Sequence, residues 1–131
     1  MNLNYDIQEI EAALAAFVLD AGVSSNVFQG QRPSNKMSVA SFIVVSVPTQ
    51  ITDLSAYGSC IGRIEMFVQN DERGLKKGKV FSSMYRKLVN AFPIIHDKYL
   101  FDIHPSLIPL GNDKDGYHVQ ALNINTLIKA I

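Results

Sequence analysis

The chain has 131 residues, 12 basic and 12 acidic side chains, 47% hydrophobic residues, 18% charged residues and a single cysteine. Those values fit one globular domain and exclude disordered, collagen-like and solenoid chains. A net charge of zero offers no global field to nucleic acid or an acidic membrane, so any such contact has to come from a local patch.

Cys60 falls within an apolar strand pattern and reads as a buried thiol. Met1 to Asp6 carries no basic leader region. The apolar run from Ala12 to Leu19 is too short for a bilayer and is preceded by acids. The expectation is a protein of the reducing cytosol with no membrane segment.

Asp6 and Glu9 have capping-box spacing and favour the positive end of a helix beginning at Ile7. Ile7, Ile10, Leu14, Phe17, Val18 and Ala21 follow the spacing of one buried face, and Gly22 supplies a left-handed stop. Asn26 to Gln29 reads as a short edge strand and Gly30 to Met37 as a loop. Val39 to Val47 is the clearest strand. Its centre, Phe42 to Val45, is β-branched or aromatic on both faces, the mark of a strand covered above and below, and Pro48 ends it.

Thr49 to Gly58 reads as a flexible connection, extended near Ile51. From Ser59 to Gln69 the pattern alternates. Cys60, Gly62, Ile64, Met66 and Val68 share one face; Ser59, Ile61, Arg63, Glu65, Phe67 and Gln69 share the other, which is mixed. Asn70 and Asp71 offer a turn and a helix cap. A second helix is expected from about Gly74 to Ala91, with Leu75, Val80, Phe81, Met84, Leu88 and Val89 on its apolar side, Arg86 and Lys87 towards its end and Pro93 closing it. Tyr99 to His104 reads as a strand, Pro105 to Gly116 as a loop and Tyr117 to Leu127 as a closing strand. The expected class is α+β, a mixed, mainly antiparallel sheet with two principal helices packed on it, in one domain spanning the chain.

No motif assigns a chemistry. Gly74 to Val80 looks like a phosphate loop, but three residues rather than four separate Gly74 from Gly78, and Val80 stands where Ser or Thr would hold magnesium. Asp113 to Gly116 looks like part of a calcium loop, yet that register puts Gly111 at the first ligand and Leu122 where Glu is required, so turn chemistry is the simpler reading. His96, His104 and His118 with Asp102 would have to converge, with second-shell support, to make a metal or acid–base site. Neither Ser106 nor Cys60 sits in a nucleophile signature. The expectation is therefore no catalytic, cofactor-binding or metal residue, and no cofactor. Arg73, Lys76, Lys77 and Lys79, followed by Arg86 and Lys87, form the densest basic segment: a solubilising surface, a weak phosphate contact to DNA or a charged subunit interface.

The order of elements resembles the small tail-completion or tail-terminator proteins of long-tailed bacteriophages and prophages. The resemblance runs from about Ile7 to Phe92. It is carried by Ile10, Leu14 and Phe17 of the first helix, the Val27-Phe28 strand, the Arg32-Pro33 loop and the Phe42 to Val45 strand, then by the Arg63 to Val68 strand and the helix bearing Val80, Met84 and Leu88. It implies a non-enzymatic virion component, assembled in the bacterial host cytoplasm, that forms a ring at the head-proximal end of the tail. There it would meet tail-tube and head–tail connector proteins. The Leu107 to Leu110 segment has no matched counterpart.

The residues themselves point the same way. A strand apolar on both faces needs two covers, two helices fill one, and a neighbouring subunit would supply the other. Ile61, Arg63, Glu65 and Phe67 are accordingly the expected oligomer interface, with Phe67 exposed on the monomer and Ile64 in its core. The alternative function is a small nucleic-acid-binding module using the basic segment from Arg73 to Lys87, with affinity that falls with salt.

Overall fold

The computed structural model describes residues 5–34 and 38–129. The N-terminal reading up to residue 4 and the end of the Gly30 to Met37 loop lie outside the described residues.

Helix α1 (Ile7–Asp20) begins at the expected cap: Asp6 Oδ1 accepts a hydrogen bond from the Gln8 backbone N–H at 2.9 Å, satisfying one of the orphan donors of the first turn. Glu9 does not complete a capping box, because its exposed carboxylate meets Lys98 Nζ at 3.5 Å instead. Gly22, with φ of +71°, turns the chain out of the helix. The buried stripe is Ile10, Leu14, Ala15 and Val18.

Seven strands form one sheet. β1 (Val27–Gln29) lies parallel to β2 (Ser41–Ser46), and β2 pairs antiparallel with the long β4 (Tyr57–Gln69). The short β3 (Thr52–Asp53) folds back on the start of β4. β4 pairs along its whole length with β7 (Tyr117–Lys129), β7 pairs with β6 (Tyr99–Asn112), and β5 (Ile94–His96) covers one end of β6. The spatial order is β1-β2-β4-β7-β6-β5. With α2 (Gly78–Ala91) the architecture is α+β, with a mixed, mainly antiparallel sheet.

The structure departs from the sequence expectations in three places. Helix α2 starts at Gly78 rather than Gly74, because Asp71 caps a tight turn: its Oδ1 accepts from the N–H groups of Arg73 and Leu75, both at 2.9 Å. Leu75 therefore lies outside the helix and is exposed, Val80 and Val89 are exposed on its outer side, and Phe81, Met84 and Leu88 form the buried stripe. The supposed loop from Pro105 is instead the continuation of β6 to Asn112. Two register shifts absorb it, one between Ile103 and Leu107 and one between Pro109 and Gly111, where Gly111 adopts φ of +76°. Among the described residues no strand pairs with the outer edge of β6 beyond Phe101, the setting in which proline is tolerated. β5 was not anticipated; its three residues are too few for a periodic signal.

Both helices lie on the same side of the sheet. Ile10, Leu14 and Val18 of α1 and Phe81, Met84 and Leu88 of α2 join Ile43, Val45, Ile64, Met66, Phe101, Leu122 and Ile124 in one buried cluster. Ile64 is fully buried there, and so is Cys60, whose thiol burial pushes up to about 11. Gly62 lets α1 approach closely, since a Cβ would come within 3.1 Å of a Leu14 methyl group and that side chain would have to shift. Phe42 and Val44 point to the other side, into a separate cluster with Phe67, Tyr117 and Val119. The central strand is apolar on both faces, as its sequence indicates, and the helices cover one of them.

Candidate functional site

Register defines the second face of the sheet. Phe42 lies opposite Phe67 and Phe67 opposite Val119; Val44 lies opposite Glu65, and Glu65 opposite Ala121. Further along, Arg63 pairs with Ser46 and Asn123, Ile61 with Asn125, Ser59 with Leu127, and Leu127 with Leu100. Cross-strand partners point the same way, so these residues line one continuous surface with three distinct zones.

The first zone is closed by the chain itself. Phe42 and Phe67 stack with ring centroids 4.3 Å apart and planes within 9°, and Tyr117 meets Phe42 edge-on at 5.1 Å. The Tyr117 hydroxyl donates to the Val39 carbonyl at 2.7 Å, which gives the buried phenol a partner. Over the two rings lies the Arg32 guanidinium, 5.4 Å from the Phe42 centroid and 5.1 Å from that of Phe67. Arg32 is held there by Asp113 at 2.6 Å and Asp115 at 3.1 Å, in the β6–β7 turn.

Asp113 is itself fixed, accepting from the N–H groups of Asp115 and Tyr117, both at 2.9 Å. Burial alone would raise its pKa, but those N–H groups and Arg32 together hold it below its ordinary value of 3.8. The residues that resemble a calcium loop are thus a hairpin turn whose carboxylates clamp an arginine. Among the described residues no group of three or more His, Cys, Asp or Glu side chains is placed to hold a metal ion.

This cap corrects the expectation for Phe67. Its side chain is only 6% exposed in the isolated chain, covered by Arg32 rather than left for a neighbour. Sequence reasoning missed the cap because Arg32 and Asp113 are 81 positions apart and no local periodicity joins them.

The second zone is polar. Arg63 and Glu65 sit there, half-buried, and neither makes an ion pair among the described residues. Arg63 Nε is shielded from solvent with no hydrogen-bond partner among them. The third zone, at the far end, is open, with exposed apolar side chains bordered by Asp97, Lys98 and Lys129. Ile95 is 80% exposed, Tyr57 41% and Leu127 37%, and together with Leu100 they border a shallow cleft of about 260 Å³. Ile61, half-buried, stands between the second and third zones. Of the four residues expected at an oligomer interface, three therefore lie on accessible surface of this face and the fourth is covered.

The histidines do not converge. His96 meets the Phe17 ring edge-on at 5.5 Å, His104 Nδ1 bonds to Ser106 Oγ at 3.0 Å within the β6 bulge, and His118 Nδ1 bonds to the Asn70 side chain. Asp102 accepts from the Ile103 N–H at 2.9 Å.

The basic segment divides. Arg73 and Lys77 border a depression that also contains Asp71, Glu72 and Asp115, while Lys76 and Lys79 line a separate groove with Arg86. Lys87 points elsewhere, donating to the Gly22 carbonyl at 3.3 Å. Among the described residues no helix is long and apolar enough to cross a membrane. No protein-family model matches the chain, and no curated protein matches it.

Proposed function

We propose that the protein is a structural, non-enzymatic tail-completion component of a phage or prophage, a subunit that closes into a ring at the head-proximal end of the tail and joins tail-tube to head–tail connector proteins. The reading rests on the element order from Ile7 to Phe92 and on one structural observation: the sheet face away from the helices combines an open apolar end with unpaired charges. Tyr57, Ile95 and Leu127 project from it at 41%, 80% and 37% exposure, beside Arg63 and Glu65 without ion-pair partners among the described residues. A contiguous apolar patch bordered by polar residues is characteristic of an interaction surface.

Covering these partly exposed side chains contributes roughly 3 kcal/mol, less than the cost of bringing two subunits together. Association of isolated subunits is accordingly weak, and closure of the ring, in which every subunit gains two neighbours, supplies the remainder.

Sedimentation velocity over a concentration series up to about 1 mM, which captures contacts worth only ~4 kcal/mol, tests the proposal together with negative-stain electron microscopy. Wild type should populate a closed oligomer at the top of the series, and Arg63→Glu should shift it towards monomer. A wild-type protein that stays monomeric throughout, or one that forms only open fibres, overturns the ring.

A further inference from the structure

The groove beside α2 is independent of the ring surface, since it opens on the helix-covered side of the sheet. Its wall is α2, where Lys79, Ser82 and Arg86 follow helical spacing on one stripe, with Lys76 just ahead of the helix. Its floor is the β6–β7 hairpin. Leu107 and Gln120 form this floor, and Leu107 is 41% exposed. The groove has a volume of about 660 Å³, and among the described residues no acidic side chain lines it.

Six of the chain's 12 Lys and Arg residues fall between Arg73 and Lys87, with no acid among them after Glu72. Lys76, Lys79 and Arg86 have no ion-pair partner among the described residues. A neutral protein has therefore placed three uncompensated cations along one wall of a groove whose floor exposes Leu107 beside Gln120.

We propose that this groove binds an extended acidic–apolar segment of a partner protein. Lys79 and Arg86 are seven residues apart on the helix, about 10.5 Å along its axis. An extended peptide advances about 3.3 Å per residue and sends alternate side chains to opposite sides. Acidic residues four positions apart are about 13 Å apart, a span that the long Lys79 and Arg86 side chains can meet, and apolar residues of the opposite parity would face Leu107 and the ring of Tyr85. Nucleic acid fits less well: a row of stacking rings is absent, Tyr85 being the one half-exposed aromatic side chain of the wall, and Phe81 is buried.

Fluorescence anisotropy with a labelled peptide of alternating glutamate and leucine tests this on the full chain. The comparison ligands are the same peptide with glutamine for glutamate and a single-stranded oligonucleotide of equal charge. The acidic peptide should bind and the glutamine peptide should not. The double variant Lys79→Glu/Arg86→Glu, checked for an unchanged thermal melt, should weaken acidic-peptide binding about tenfold or more, because two attractions become two repulsions. Rising salt should weaken it further. Lys87→Glu, which points away from the groove, should bind as wild type does. Failure of wild type to bind the acidic peptide, equal binding by the double variant, or tighter binding of the oligonucleotide through the same residues would each overturn the proposal. None of these results bears on whether the subunits form a ring.

Discussion

The two faces of this sheet are built from the same central strands and solve burial in different ways. On one face, two amphipathic helices deliver apolar side chains over Ile43, Val45, Ile64 and Leu122 and bury all four. On the other, the cover is a loop. One arginine, clamped by two carboxylates, lies over a stacked pair of phenylalanines and protects one end, while the opposite end stays open. The first arrangement rests on apolar contacts. The second depends on charge, so the two faces should fail under different conditions and with different substitutions.

The largest expected effect comes from Ile64→Asp. It buries an unpaired carboxylate in the helix-side core, at a cost of about 4 kcal/mol or more, and should abolish the cooperative melt. Phe67→Ala removes the ring stacked on Phe42 and the perch of Arg32, for about 3 kcal/mol, and should give a folded but weaker protein. Thermal melts followed by circular dichroism rank the two. If Phe67→Ala melts as wild type does, the second face is not part of the folded core and the contrast collapses.

Arg32→Ala should come next, at about 2 kcal/mol, since it loses a part-buried ion pair, the contact with two rings and the packing of its own stem. Its partner sets a pH dependence of known sign. Asp113 has a depressed pKa in the folded chain, so its contribution is fully present above the ordinary value of 3.8 and is lost as the pH falls through the lower folded value. The stability advantage of wild type over Asp113→Asn should therefore be constant near neutrality and shrink in acid. Urea titrations across that range measure it. An advantage that stays level down through acid would show that the clamp does not couple to the fold.

Which parts of this were legible in the sequence follows from the range of the interactions. The stripe of α1, the cap at Asp6, the stop at Gly22 and the double-sided strand at Phe42 to Val45 are local patterns, and each appears where the residues place it. The alternation of β4 correctly assigned Ile64 and Phe67 to opposite faces. It could not reveal that Phe67 is covered, because its cover comes from Arg32, 35 positions away, held by a turn near the C-terminal end. The prolines of β6 misled for a related reason. Pro105 and Pro109 break a strand locally, and only the unpaired outer edge and the two bulges make them acceptable. The basic groove was half visible: the cations cluster in sequence, but their separation into two surfaces depends on the turn that Asp71 caps.

The smallest effect on stability should come from Ile95→Asp, and it bears most directly on the open end. Ile95 is 80% exposed on the short β5, so replacing it removes almost no buried surface and places the new carboxylate in water. A surface change of this kind alters stability by about 0.5 kcal/mol or less. The same carboxylate would have to be desolvated if a neighbouring subunit seats on Tyr57, Ile95 and Leu127, at a cost far larger than its effect on the monomer. Ile95→Asp should therefore leave the thermal melt of the dilute protein unchanged while moving the sedimentation profile of the concentrated protein towards monomer. The two faces predict opposite pairings of these readouts. A core substitution lowers the melt whether or not subunits associate, whereas a substitution at the open end alters association alone. If Ile95→Asp lowers the melt of the dilute protein, the open end is part of the monomer's own core; if it leaves both readouts unchanged, subunits do not meet there.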